Sequence, residues 1–169
     1  GGQNALTYKD VFSYIKSNQM WLGYKFGDMS FKVPEYFEPR ATRFWIDENG
    51  QKWRSLGNIC WFTNLDHKKR HEELELYKKY STEEYPKFDN YDAINVNSIT
   101  EIPQDYYDLM GVPITFMDKY NPEQFEIVGM ISSAGYNKEV VGIDFLGEKD
   151  ARPLINGKNI YARILIKKK

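Results

Sequence analysis

Helical spacing of apolar residues opens the chain: Leu6, Val11, Phe12 and Ile15 recur on one narrow stripe. That period predicts a helix from about Tyr8 to Asn18. Thr7 stands where an N-cap would, Asp10 at the reciprocal capping-box position, and Leu6 and Val11 at staple spacing. Met20-Trp21-Leu22-Gly23-Tyr24 follows as a short apolar run, which predicts a buried strand. A helix feeding a strand predicts the edge of an α/β sheet. From Lys25 to Pro39 the pattern breaks at Gly27, Pro34 and Pro39, which predicts irregular structure. Phe44-Trp45-Ile46, the Asn49-Gly50 pair and Lys52-Trp53 then read as a hairpin, and Gly57 to Leu65 as a further strand.

Leu74 to Asp92 is Tyr-rich, charged and weakly periodic, so it reads as loop with at most one helical turn. Beyond Ile102-Pro103 the pattern is strand-like again. Gly111 to Phe116 is extended, Asn121-Pro122-Glu123-Gln124 has the chemistry of a short helix start, and Phe125–Ile131 and Val140–Phe145 read as strands. Asn156-Gly157 predicts a tight turn into Ile160–Ile166, where Ile160, Ala162, Ile164 and Ile166 share a face. The chain thus starts α/β and ends β-rich, giving a fold class between α/β and α+β.

Composition narrows the function classes. In 169 residues, 41% hydrophobic and 16% aromatic content argue against disorder, and 13 Tyr with 4 Trp suit polar interfaces as well as a β-rich core. The net charge of -1 supplies no global field towards nucleic acid. Charge is segregated instead: basic at Lys68-Lys69-Arg70 and Lys167-Lys168-Lys169, acidic at Glu72-Glu73-Glu75, Glu83-Glu84 and from Glu101 to Asp108. The single Cys60 excludes an intramolecular disulfide framework or a multi-cysteine zinc site. With no span-length apolar run and no secretory signal, a cytoplasmic location and no membrane partner are expected. The opening GGQNA lacks Met and reads as a processed start, an appended sequence or a piece of a larger protein.

The richest chemistry lies in Gly57–His71, GNICWFTNLDHKKRH. Aromatics stack on bases, Asn pairs with base edges and Lys or Arg neutralises phosphate, so the mixture points towards nucleic acid. On a strand, Trp61 and Thr63 share one face and Phe62 and Asn64 the other. Either one face is core and the other lines a cleft, or both aromatics are core and Asn64 satisfies a turn. His67 and His71 have helical metal-ligand spacing, but the three intervening residues are cationic and repel a dication, so no metal is expected. The acid pairs Asp89/Asp92, Glu83/Glu84 and Asp105/Asp108 admit a carboxylate hydrolase only if a cleft gathers them. The Tyr-rich loop admits a second reading, a non-enzymatic β-rich module that docks a protein. No nucleophile elbow, Walker loop or GxGxxG occurs.

Six blocks in order are more specific: GQNALTYKDVF, MWLGYKFGDMSFKVP, GNICWFTNLDHKKRH, KFDNYDAINV, GVPITFMDKYNPEQFEIVGM and NGKNIYARILIKKK. They resemble the EcoRI-type adenine-specific DNA methyltransferases from Gly2 to Lys169. The resemblance implies methyl transfer from S-adenosylmethionine to adenine N6 in a short site on double-stranded DNA, within a restriction-modification system, with the target base extruded. The family's Asn/Asp-Pro-Pro-aromatic motif is absent, since the seven prolines include no adjacent pair, and so is a glycine-rich cofactor loop. In the family these motifs lie upstream of the first block. The resemblance therefore implies a C-terminal portion that is inactive alone, with no catalytic residue and little hold on S-adenosylmethionine, and with the rest of the enzyme as its partner. Residues 1–66 would be the last helix and strands of the methyltransferase sheet, and residues 67–169 a β-rich target-recognition region. Gln3, Asn4, Trp61, Phe62 and Asn64 would border the base pocket. DNA contacts would come from His67, Lys68, Lys69, Arg70 and His71, and then from Arg40, Arg43, Lys52 and Arg54.

Overall fold

The computed structural model describes residues 2–148 and 150–169; the side chains of Gln3, Phe26 and Asn58 lie outside that description. Helix α1 (Lys9–Lys16) forms where the stripe predicts it and buries Phe12 and Ile15. Its cap differs from expectation. Tyr8 is the N-cap and makes no side-chain bond, because Thr7 belongs to a preceding 3-10 turn (Gln3–Thr7) and donates its hydroxyl to the Asn4 carbonyl at 2.7 Å.

Strand β1 (Trp21–Lys32) is far longer than the apolar run that predicts it. It pairs antiparallel with β3 (Lys52–Thr63), and β2 (Phe44–Ile46) flanks β3 to give the order β1-β3-β2. Register shifts at Leu22/Phe26 and Asp28/Ser30 break the two-residue alternation, which is why the stretch after Tyr24 reads as irregular in sequence. The Asn49-Gly50 turn is as predicted. Asp47 accepts the backbone N–H of Asn49 at 3.0 Å and of Gln51 at 2.9 Å, and Gly50 takes φ +77°.

The second sheet comprises β4 (Ile94–Asn95), β5 (Met110–Pro113), β6 (Phe125–Ile131) and, after α2 (Lys138–Val141) and the small ribbon β7 (Leu154–Ile155) with β8 (Lys158–Asn159), the last strand β9 (Arg163–Lys168). The order is β4-β5-β9-β6, and among the described strands only β4–β5 is parallel. The α/β expectation for the start gives way to α+β: antiparallel pairing dominates and helices are few. Three further expectations are corrected. Val140–Phe145 is not a strand, because Asn137 caps the Glu139 and Val140 N–H groups and starts α2. Residues Ile114–Lys119 wind into a 3-10 helix that buries Phe116 and Met117 instead of staying extended. Asn121 does cap Glu123, at 2.9 Å, but the chain makes a single turn before entering β6.

Strand β9 is buried on both faces, so the predicted one-sided alternation is incomplete. Ile164 and Ile166 join a core with Phe12, Ile15, Leu22, Cys60, Met110, Val112 and Phe116, while Leu165 joins a second core with Phe88, Tyr91, Ile131 and Val141. Residues on both sides of position 66 enter the first core. No described side chain from Gly23 to Ile59 enters either. That stretch is a β-arm outside the body. Among the described residues no helix is long and apolar enough to cross a membrane.

Gly129 brings β6 onto α2 with no space to spare: a Cβ there would lie 1.8 Å from the Val141 carbonyl oxygen. Gly129→Ala is expected to cost about 3 kcal/mol or more, read as a lowered urea midpoint. An unchanged midpoint would mean that α2 does not hold β6.

Candidate nucleic-acid interface

The arm is internally satisfied. Its described hydrogen bonds close among β1, β2, β3 and their connections: Gln51 Nε2 donates to the Val33 and Lys52 carbonyls at 3.2 and 3.0 Å, Ser55 bonds Asp28, and Trp53 Nε1 donates to Asp47 at 2.9 Å. The indole bond, first among the causes, holds the Asp47 carboxyl below its ordinary range. Cross-strand register then builds an aromatic ladder on each face of the tip. On one, Trp45 opposes Trp53 with rings parallel at 6.3 Å, and the Lys32 ammonium lies 5.5 Å over Trp53. On the other, Phe37 stacks on Phe44 at 6.3 Å, and the guanidinium groups of Arg40 and Arg54 lie over Phe37 at 5.9 and 5.6 Å.

These ladders separate the secondary candidates. Arg40 and Arg54 converge over Phe37 at the tip. Arg43 instead donates to the Leu56 carbonyl at 3.2 Å, and Lys52 to Phe37 at 3.1 Å and to Glu35. Those two brace the arm.

At the arm's base an open cleft of about 320 Å³ is lined by Gly23, Tyr24, Lys25, Trp61, Thr63, Leu65, Asp66 and His67. Trp61 is 59% exposed and Tyr24 64%. Phe62 faces the first core from the same strand, and Asn64 is exposed just beyond β3. The two faces of β3 therefore split as core and cleft. Asn4 lies on the N-terminal 3-10 turn, in a different cleft, so the structure does not bring it to Trp61. Gln3's side chain lies outside the described residues. The first residues do reach β3 through an antiparallel bridge between Gly2 and Ile59.

In the basic turn Lys68–His71, a single 3-10 turn, Lys69 and Arg70 turn inward while Lys68 and His71 stay exposed. Arg70 is only 10% exposed; its guanidinium lies 3.6 Å from the Trp21 ring centroid, bonds the Asn18 amide oxygen and comes within 3.7 Å of Asp66. Lys69 pairs with Asp118 on the Ile114–Lys119 helix. His71 Nε2 bonds Asp66 at 2.8 Å, and this contact is the main cause that pulls the Asp66 carboxyl down. His67 Nε2–H donates to the Leu22 carbonyl at 2.8 Å. Only Lys68 stands exposed with no described partner. No group of three or more His, Cys, Asp or Glu able to hold a metal occurs among the described residues.

Sequence reading missed Tyr24, Lys25, Lys32 and Trp45. The signal was present in β-register: Lys32, Trp53 and Trp45 become one row only once β1 and β2 are placed either side of β3. The acid pairs do not gather. Asp89 accepts the Asn156 and Gly157 N–H groups, Asp92 pairs with Lys87, and Asp105 accepts the Tyr80 N–H. The Tyr-rich loop turns much of its aromatic surface inward: Tyr80 packs on Tyr85 and Tyr106, and Tyr91 is buried.

Comparison with known proteins agrees with the sequence blocks. The family described as adenine-specific methyltransferase EcoRI matches residues 1–169. Type II methyltransferase M.EcoRI of Escherichia coli is 49% identical over 98% of this chain and 48% of its own length. Type II methyltransferases M.MgeORF184P of Mycoplasma genitalium and M.MpnI of Mycoplasma pneumoniae are 38% and 33% identical, over 97% and 100% of this chain and 54% and 55% of their own lengths. The chain spans about half the length of these relatives. No solved structure matches it.

The inward turn makes a stability prediction. Arg70→Ala, which removes a nearly buried cation from Trp21, is expected to cost about 2 kcal/mol. Lys68→Ala is expected to stay within about 0.5 kcal/mol of wild type. Urea unfolding followed by Trp fluorescence checks both, and equal effects would contradict this division.

Proposed function

Because this chain belongs to the EcoRI family of adenine-specific methyltransferases, we propose that it is part of a site-specific DNA adenine-N6 methyltransferase of a restriction-modification system, working in the cytoplasm. Its share is recognition of duplex DNA and one border of the base pocket. In this reading the parts of residues 1–66 that join the body complete the methyltransferase sheet, the β-arm projects from them, and residues 67–169 form the rest of the target-recognition region. The bridge of Gly2 to Ile59 supports the first part, since it aligns the start of the chain beside β3. The β-arm carries the DNA assignment: rigid aromatic rows flanked by Lys32, Arg40 and Arg54 match bases and phosphates together. Trp61 and Asn64 border the base pocket, Lys68 contacts phosphate, and His67, Lys69, Arg70 and His71 hold the arm's base.

Two described clefts, of about 520 and 540 Å³, do not fit S-adenosylmethionine, a cationic nucleoside with a ribose diol. The cleft beside Asn4 is lined by a cation, Arg152, and by no carboxylate. The cleft of about 540 Å³ at Glu73–Leu76 has acids, but the Lys168 ammonium sits 4.0 Å over its Tyr107 ring, on the face an adenine would take. In this reading methyl transfer draws on residues of the enzyme outside this chain, and no step of it is derived from the residues present. The protein-docking alternative is weakened by the inward packing of the tyrosines.

Fluorescence anisotropy with duplex DNA across a salt series tests the reading. Lys32→Ala and Arg40→Ala are each expected to lower the slope of log K against log salt by about 1. Trp45→Ala is expected to weaken binding with the slope unchanged. No duplex affinity at low salt would overturn the proposal. Transfer from labelled cofactor by this chain alone, above a no-protein control, would overturn the catalytic incompleteness.

A further inference from the structure

A second cleft lies away from the arm. It encloses about 520 Å³ and is lined by residues of the N-terminal turn (Asn4, Thr7, Tyr8), the loop after β6 (Ser132, Ser133, Ala134), Arg152 and Ile160–Ala162. That volume is within the usual range for small-ligand sites. Tyr8 is 65% exposed and Tyr161 89%, so two aromatic rings stand at its walls in water. Around them the backbone is fixed. Arg163, buried within the sheet, donates to the Tyr161 and Ala162 carbonyls at 3.1 and 3.3 Å and to Asn95 at 2.9 Å. The Thr7 hydroxyl holds the Asn4 carbonyl, and the Ser132 hydroxyl accepts the Ala134 N–H at 3.3 Å.

Arg152 is also set in place. Asp150 takes its Nε and NH2 edge at 2.6–3.1 Å, and the Asn159 amide oxygen, in its swapped orientation, accepts from NH1 and NH2. With Asp150 alongside, the cleft has little net charge. It suits a ligand held by stacking and directed hydrogen bonds, with at most one anionic group.

We propose that this cleft holds one nucleotide of a DNA strand, with the base against Tyr8 and Tyr161, its edge at the Asn4 amide and its phosphate at Arg152. The assignment rests on the DNA-binding reading above and adds a contact separate from the arm. Exposed aromatic surface on a fixed backbone, with an amide and a guanidinium, is the combination that unstacked bases meet in single-strand sites.

The test uses the intact chain and a single-stranded oligonucleotide bearing 5-iododeoxyuridine. Ultraviolet crosslinking followed by peptide mapping is expected to place adducts on Tyr8 or Tyr161. The pair Tyr8→Ala with Tyr161→Ala is expected to lower single-strand affinity about tenfold with an unchanged salt slope, and the corresponding Phe pair to restore it. Adducts only elsewhere, or an Ala pair that binds as wild type, while duplex affinity persists, would overturn the cleft and leave the arm reading standing. No affinity for DNA of either form would overturn that reading and this one with it.

Discussion

The arm's attachment is the constraint on which the interface depends. A segment that buries nothing in either core has no packing to orient it, so its direction is set at its base. The turn from Asp66 to His71 supplies that orientation: Arg70 on Trp21 and Asn18, Lys69 on Asp118, and His67 on the Leu22 carbonyl. Together they tie the first residues of β1 to the end of α1 and to the Ile114–Lys119 helix. The arrangement has a cost. His67 Nδ1 and Arg70 Nε are buried without hydrogen-bond partners, at about 1–3 kcal/mol each. A cation retained against that penalty serves position, and Arg70 accordingly braces the arm's base.

The body meets the opposite condition. Strand β9 is covered on both faces, and close backbone approach at Gly129 locks α2 to β6. Stability resides there, while the arm relies on its own hydrogen bonds. Substitutions on the ladder faces can therefore alter recognition with little effect on folding, a separation expected where function sits on elements projected from a rigid scaffold.

Much of this was legible in the residues, and the failures have causes. The α1 stripe, the Asn49-Gly50 turn and the extent of β6 follow from periodicity and turn chemistry that act locally. Strand β1 was truncated in the reading because two register shifts and a left-handed Gly27 erase alternation. Val140–Phe145 was misread because β-branched residues outweighed a cap signal at Asn137 that only the folded side chain reveals. At the site, the split of Trp61 and Phe62 to opposite faces of β3 could be anticipated from strand alternation. The inward fate of Arg70 could not, because Trp21 and Asn18 are remote in sequence and nothing local marks them as its partners.

The weak overall charge fits this division. Residues 25–57 carry six basic and five acidic side chains, so the arm has little electrostatic reach. Of those acids, Asp28 is engaged by Ser55 and Asp47 by Trp53 and its own turn, while Glu35, Glu38 and Glu48 stay exposed alongside the cations at the ladder edges. Phosphate neutralisation raises affinity for any duplex, whereas aromatic rows and amides discriminate by shape and base edge. A surface of nearly balanced charge that keeps its cations over aromatic rings favours discrimination over attraction. That balance suits the recognition role proposed for the arm, with its neighbours, rather than a global field, bringing it to DNA.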